Sequence, residues 1–302
     1  MKRRSSFRNY AEYGLVRSLF FLLRVLPDAL SLSIAQAIAQ VVRLSLPRLS
    51  KVARRNLQLA LPSLPPQDHA QIIRGVFDSV GRLLWVVAKI SSNTSKNLHK
   101  YLQIDNLEVV TNAYREEHGV LFATGHLGAW ELSAIGFADQ VRAMDVMARP
   151  LDNPLLDAWV RSIRSATGNR ILSKSGMLRE VLRALSENRA VGFLVDHNVI
   201  SSDLCFIRFF GIETAASTVF AKLAAKTGAV VVPGYALWEE GKRRFVLRFY
   251  DPVPMTGNAE TDTQQIHSRL EAVIRQYPDQ WLWIHRRFKT RPDGSPPLYE
   301  NL

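Results

Sequence analysis

His126 and Glu131 stand five positions apart in Thr124-Gly125-His126-Leu127-Gly128-Ala129-Trp130-Glu131, directly after a short apolar run at residues 120–124. Imidazole is the side chain best suited to accept a proton near neutral pH. A carboxylate held against it fixes its tautomer and stabilises the imidazolium that forms. On one continuous helix the two would point about 140° apart, from five steps of about 100° each. They can meet only if His126 occupies a turn and Glu131 the first turn of the next helix, a geometry that Gly125 and Gly128 permit. No serine or cysteine stands beside them as a nucleophile. The pair therefore reads as a general base, His126, oriented by Glu131 and acting on a substrate hydroxyl. The same residues also suit a loop histidine ahead of a helix whose positive end favours Glu131, and the spacing alone does not separate the two.

Two further polar residues follow apolar runs in the same way. Arg149 comes after residues 143–148 and Asp196 after residues 190–195. An arginine there can hold a phosphate or stabilise an oxyanion, or simply make a surface salt bridge. An aspartate can position an acceptor sugar, pair with a basic residue, or accept bonds from the next turn.

The elements that must position these residues form a repeating series. Residues 120–124, 143–148, 170–172, 190–195 and 229–233 read as strands, and residues 245–250 as an edge strand. Helices are expected at 67–90, 129–140, 154–167, 177–187, 217–227 and 263–276, with a polar connector at 91–97. Strand–helix alternation predicts an α/β fold with a mixed, largely parallel central sheet flanked by helices. In such sheets sites collect at the carboxyl ends of strands, where His126, Arg149 and Asp196 fall.

The first 62 residues differ in character, and Pro62 to Pro66 marks the boundary to an expected second unit at 63–302. Lys2, Arg3, Arg4 and Arg8 precede an apolar region at 15–46 whose longest uncharged run, residues 29–42, is fourteen residues. A spanning helix needs roughly 20, so a clean transmembrane helix is not expected. No compact apolar core with a cleavage site points to secretion. Leu15, Leu19, Leu22, Leu23 and Leu26 share one helical face, away from Arg17 and Arg24. That composition predicts an amphipathic membrane-associating helical region, or else a helix packed on the core.

The 39 lysines and arginines exceed the 27 acids, giving a net charge of +12 and a pI near 10.1. Such an excess calls for a polyanionic neighbour: nucleic acid, an anionic membrane surface or an acidic protein. The basic clusters lack the motifs of a nucleic-acid module, so no nucleic-acid partner is expected. A single cysteine, Cys205, excludes a disulfide scaffold and any multi-cysteine metal site. Serine-hydrolase, P-loop and dinucleotide fingerprints are absent. Trp281, Trp283, His285, Arg286, Arg287 and Lys289 gather aromatic and basic residues suited to a headgroup region or a phosphosugar, or else form an edge strand with a solvated basic end.

Taken in order, several segments resemble the bacterial lipid A biosynthesis acyltransferases, the late lauroyl/myristoyl transferases of the lysophospholipid acyltransferase superfamily. They are Arg54-Arg55-Asn56-Leu57 with Leu61-Pro62, Gly125-His126 through Trp130-Glu131, and Arg149-Pro150 with Asp152-Asn153-Pro154. Further on come residues 191–196, Phe209-Phe210-Gly211 with Thr218, and residues 278–289. The resemblance implies transfer of a fatty acyl chain from an acyl carrier protein thioester to a hydroxyl of a lipid A precursor or similar glycolipid. It implies no metal or other cofactor, and a place on the cytoplasmic face of the inner membrane. His126 and Glu131 would be the catalytic pair. Gly125, Trp130, Arg149, Asp196 and Arg286 would contact substrate. The chain departs from the family pattern at His197, where glutamine is common, at Ala129, where asparagine is frequent, and in a helix at 78–89 without an acidic end. These departures leave the pair intact and bear on the acceptor. Another glycolipid, an aminolipid or a lysophospholipid stays open, as does a catalytically silent lipid-binding protein on the same fold.

Overall fold

The computed structural model describes residues 5–91, 94–172 and 176–300. Four helices open the chain: α1 (Ser6–Val25), α2 (Asp28–Ser45), α3 (Pro47–Ala60) and α4 (Pro66–Ile90). Prolines punctuate them. Pro27 follows the end of α1, while Pro47 and Pro66 begin α3 and α4, where a missing backbone N–H costs nothing. Then come α5 (Thr94–Tyr101), β1 (Leu102–Asp105) and α6 (Leu107–Arg115).

The alternating part follows as β2 (Val120–Thr124), α7 (Trp130–Gln140), β3 (Asp145–Met147), α8 (Pro154–Ser165), β4 (Arg170–Leu172), α9 (Met177–Ser186) and β5 (Ala190–Leu194). A hairpin, β6 (Leu204–Phe209) and β7 (Ile212–Ser217), leads into α10 (Val219–Thr227), β8 (Val230–Glu239), β9 (Arg244–Phe249) and α11 (Ala259–Gln276).

Seven strands form one sheet in the order β1-β9-β8-β2-β5-β3-β4, and every pairing is parallel except β8 with β9. The expected largely parallel, helix-flanked sheet is therefore present. Successive side chains along β2 face opposite ways. Phe122 joins a core with Trp85 and Phe137, whereas Leu121 and Ala123 join one with Leu223 and Ile266. Helix α7 thus covers one face, and α10 and α11 the other. Leu23 of α1 and Ala35 of α2 lie in the same cluster as Trp85.

Several expectations need correction. Residues 245–250 are not an edge: β9 lies inside the sheet because β1 pairs with it. Only four residues long and with Gln103 and Asp105 in it, β1 carries too little pattern to be seen in sequence. The polar connector is helical from Thr94 onward. The β6–β7 hairpin turns through Phe210 and Gly211, both at positive φ (55° and 76°), without the Asn-Gly signal that usually marks such a turn.

Residues 281–289 form no edge strand, and the aromatic part of the segment is buried while Arg286 stays part-exposed and Lys289 exposed. A single bridge joins Leu127 to Trp281, and Trp281, Trp283, Arg287 and Phe288 are all 0% exposed. The leucine stripe of α1 also splits. Leu23 and Leu19 pack inward while Leu15 and Leu22 stay exposed beside Phe7, Phe21 and Val25. Helix α2 likewise exposes Val41 and Leu44. Among the described residues no single helix is long and apolar enough to cross a membrane; α2 and α3 meet that test only together, across an 88° bend.

Candidate active site

Because β2 and β5 are parallel neighbours, Thr124 pairs with Leu194 and their carboxyl ends lie side by side. His126 follows one end and Asp196 the other. Asp196 is 0% exposed and accepts three hydrogen bonds: from the His126 backbone N–H (2.8 Å), from His126 Nδ1 (2.9 Å) and from Trp281 Nε1 (2.8 Å). With Nδ1 donating to this carboxylate, Nε2 carries the lone pair.

The turn between β2 and α7 is held as firmly as the imidazole. Leu127 N–H donates to Gly125, Gly128 N–H to the Gln280 carbonyl and Ala129 N–H to the Ala236 carbonyl. Gly128 has φ of +62°, and a Cβ on it would lie 2.0 Å from the Ala236 oxygen, so only glycine fits. At Gly125 an added Cβ would stand 3.2 Å from Asp196 Oδ2, in the path by which the carboxylate reaches the His126 amide.

Burial alone would lower the His126 pKa. The Asp196 charge and hydrogen bond outweigh it, with a smaller contribution from Glu131, and the net direction is upward. Asp196 is driven far the other way: burial opposes its charge, but His126 beside it, with His285 and His197, holds it ionised. His285 is pulled down, chiefly by burial. Trp130 stands edge-on to His126 with ring centroids 5.2 Å apart, and His197 lies 4.7 Å away.

Glu131 does not touch the imidazole. Its two oxygens accept from Arg164 of α8, from Nε at 2.7 Å and Nη2 at 2.5 Å, a bidentate pair with both side chains largely covered. The orienting contact expected from Glu131 is made by Asp196. The reason is topological: strand pairing delivers Asp196 to Nδ1, while α7 and α8 deliver Arg164 to Glu131. Arg164 carried no sequence signal, since a lone arginine inside a helix resembles any solvated charge.

His126, Glu131 and Arg164 line a cavity of about 610 Å³ whose walls are mainly apolar, among them Phe122, Ile135, Phe137, Met144 and Phe249. Trp130 and exposed Arg149 line it too. Asp196 sits behind His126 rather than on the wall, which answers the sequence alternatives in favour of pairing with a basic residue. Arg286 also lies off the wall, its guanidinium 5.8 Å from the ring centre of Tyr299.

Fold and site together define a class: an α/β protein presenting a carboxylate-backed proton acceptor in a cavity fit for hydrocarbon. The sequence comparison then places the chain. The profile of the bacterial lipid A biosynthesis acyltransferase family matches residues 1–290, and the chain belongs to that family. It is 28% identical over 255 residues to the lipid A biosynthesis lauroyltransferase of Escherichia coli K12, covering 83% of each chain. It is 27% identical over 268 residues to the palmitoleoyltransferase of the same organism, covering 87% of this chain and 86% of the relative. A lipid A biosynthesis acyltransferase of Haemophilus influenzae is 24% identical over 249 residues, covering 82% and 78%. The protein is an acyltransferase of lipid A biosynthesis.

Proposed function

We propose that this enzyme moves a fatty acyl chain from an acyl carrier protein thioester to a hydroxyl of a lipid A precursor or similar glycolipid, with His126 as general base. The observation that carries the reading is the Nδ1 hydrogen bond to buried Asp196, which leaves Nε2 as acceptor on a residue lining the apolar cavity. Nε2 takes the hydroxyl proton as the oxygen attacks the thioester carbonyl. The tetrahedral intermediate collapses with cleavage of the C–S bond, and the departing thiolate takes that proton from the imidazolium. Asp196, and at longer range Glu131, stabilise the imidazolium between these steps. The chemistry so written uses no cofactor.

The amides of Leu127, Gly128 and Ala129 are all engaged within the protein. Groups suited to meet the developing oxyanion include the first-turn amides of α7 at Trp130 and Glu131, which have no intrahelical acceptor, the Thr124 and Ser133 hydroxyls, which have no hydrogen-bond partner among the described residues, and Arg149 in the cavity wall. Glu131 keeps Arg164 fixed in that wall.

The net charge of +12 favours encounter with an acidic carrier protein and an anionic membrane surface. Exposed Leu15, Phe21, Val41 and Leu44, with Arg17, Arg24 and Arg43 on the same helices, suit residues 1–62 to lie in the headgroup region at the cytoplasmic face of the inner membrane.

The test offers labelled acyl carrier protein to the purified, detergent-solubilised enzyme with tetra-acylated lipid A precursors and lysophospholipids. Product from the lipid A precursor, lost in His126→Ala, is expected. Product only from lysophospholipid would replace the acceptor, and turnover unchanged in His126→Ala would remove the mechanism. No product from any acceptor would leave a silent lipid-binding protein.

A further inference from the structure

Asp196 is buried, and its three hydrogen bonds come from the His126 amide, His126 Nδ1 and Trp281 Nε1. A base is uncharged before it takes its proton, so none of these donors carries a charge when the enzyme is ready to react. The imidazolium cannot then be the counter-ion of the carboxylate. An ionised carboxylate buried without a cation is costly. Another positive charge must stand close by.

Arg287 is the buried cation of that region, with 0% exposure. Its Nη1 donates to the Ala215 carbonyl (2.8 Å) and to Thr214 Oγ1 (3.2 Å), both neutral. Nε and Nη2 meet no acceptor among the described residues. A guanidinium so placed gives up its hydration and gains little from its own contacts. Burial brings its pKa down to about 10, against the pull of the Asp196 charge, and it stays protonated at neutral pH.

An aromatic pair joins it to Asp196. The guanidinium carbon lies 5.2 Å from the ring centre of Phe209, and Phe209 lies 5.8 Å from Trp281, whose Nε1 donates to Asp196. The chain just after Asp196 is tied to the Arg287 segment as well: Thr290 N–H donates to Asn198 Oδ1 (2.9 Å), and Asn198 Nδ2 to Thr290 Oγ1 (3.0 Å). We infer that Arg287 is a positioning residue for the transfer, the buried cation that balances the Asp196 carboxylate while His126 is neutral. This inference rests on the proposed transfer.

Arg287 also acts on the other imidazoles around that carboxylate: His197 after β5, His267 of α11 and His285 of its own segment. Each is pushed toward its neutral form first by burial, and the Arg287 charge adds to the push. Tyr235 of β8 and Tyr299, over which Arg286 lies, complete the ionisable groups facing the pair, and both are held neutral by burial. On the cavity side Glu131 is matched by Arg164. Four imidazoles thus surround one carboxylate, and His126, bonded directly to it, takes the proton.

Arg287→Gln removes the charge and keeps a donor for the Ala215 carbonyl, while Arg287→Lys keeps the charge. One readout is the pH profile of acyl transfer. The other needs no turnover: carbethoxylation of His126 by diethyl pyrocarbonate, which attacks neutral imidazole, followed across pH by mass spectrometry. Loss of a positive charge beside Asp196 favours imidazolium. Both curves should therefore move to higher pH in Arg287→Gln, by about one unit, the usual spread of histidine pKa values in folded proteins, and return in Arg287→Lys. A merely structural role would lower the melting temperature and move neither curve. Folded Arg287→Gln with both curves unmoved would overturn the inference. Should the variants not fold, histidine NMR titration of the unaltered protein decides. His126 is expected to charge before His197, His267 and His285, and any of these charging first would overturn it. A shifted modification curve in a protein without acyl transfer would sustain the charge balance and remove the proposed reaction.

Discussion

Asp196→Asn tests the centre of the mechanism. The carboxylate accepts from the His126 amide and Trp281 Nε1 through Oδ2, and from His126 Nδ1 through Oδ1. An asparagine oxygen in the Oδ2 position keeps the first two bonds, and its NH₂ then faces Nδ1. Two donors cannot share that contact, so the imidazole changes tautomer: Nδ1 becomes the acceptor and Nε2 carries the hydrogen. The base is lost at the atom that needs it. The same substitution in a Ser-His-Asp triad lowers kcat about 10⁴-fold, which corresponds to about 5 kcal/mol at about 1.36 kcal/mol per decade.

The pH profile should move as well. His126 acts when neutral, so wild-type activity rises with pH through a His126 pKa held above its usual value by Asp196. Without that charge burial prevails, and the acidic limb shifts to lower pH. The assay is acyl transfer by detergent-solubilised enzyme across the acid range, with melting curves to confirm folding. Activity within about tenfold of wild type, with the acidic limb unmoved, would refute the assignment of Asp196 as the orienting group.

Two other outcomes follow from the geometry. Gly128→Ala places a Cβ against the Ala236 oxygen at positive φ and should cost about 2–4 kcal/mol, the range of a strained, overpacked site; an unchanged melting temperature would show that the turn is looser than described. Phe21→Glu with Leu44→Glu changes two exposed side chains, so each should alter stability by no more than about 0.5 kcal/mol. Sedimentation with anionic vesicles should nevertheless fall, and unaltered sedimentation would exclude these helices as the membrane contact.

The strand–helix alternation was legible because buried strands and amphipathic helices impose periods on neighbouring residues, and His126 could be placed at a strand end for the same reason. Short β1 and the Phe210-Gly211 hairpin left no such period. Within the aromatic and basic run at 281–289, Trp281, Trp283 and Arg287 went to the core, because residue types suited to a headgroup are equally suited to a core. Trp281 and Arg287 are buried only because the β2–α7 turn, the β6–β7 hairpin and their own segment close over one another.

The partner of His126 was beyond the sequence for a related reason. Glu131 is five residues away and Asp196 seventy, and nearness along the chain favours the wrong carboxylate. Local sequence determined that β2 and β5 would each end in a polar residue. Only the sheet decided that these strands lie side by side, because strand order is set by which apolar faces helices α7, α10 and α11 can bury together. That packing brings Asp196 beneath His126 and leaves Glu131 to Arg164.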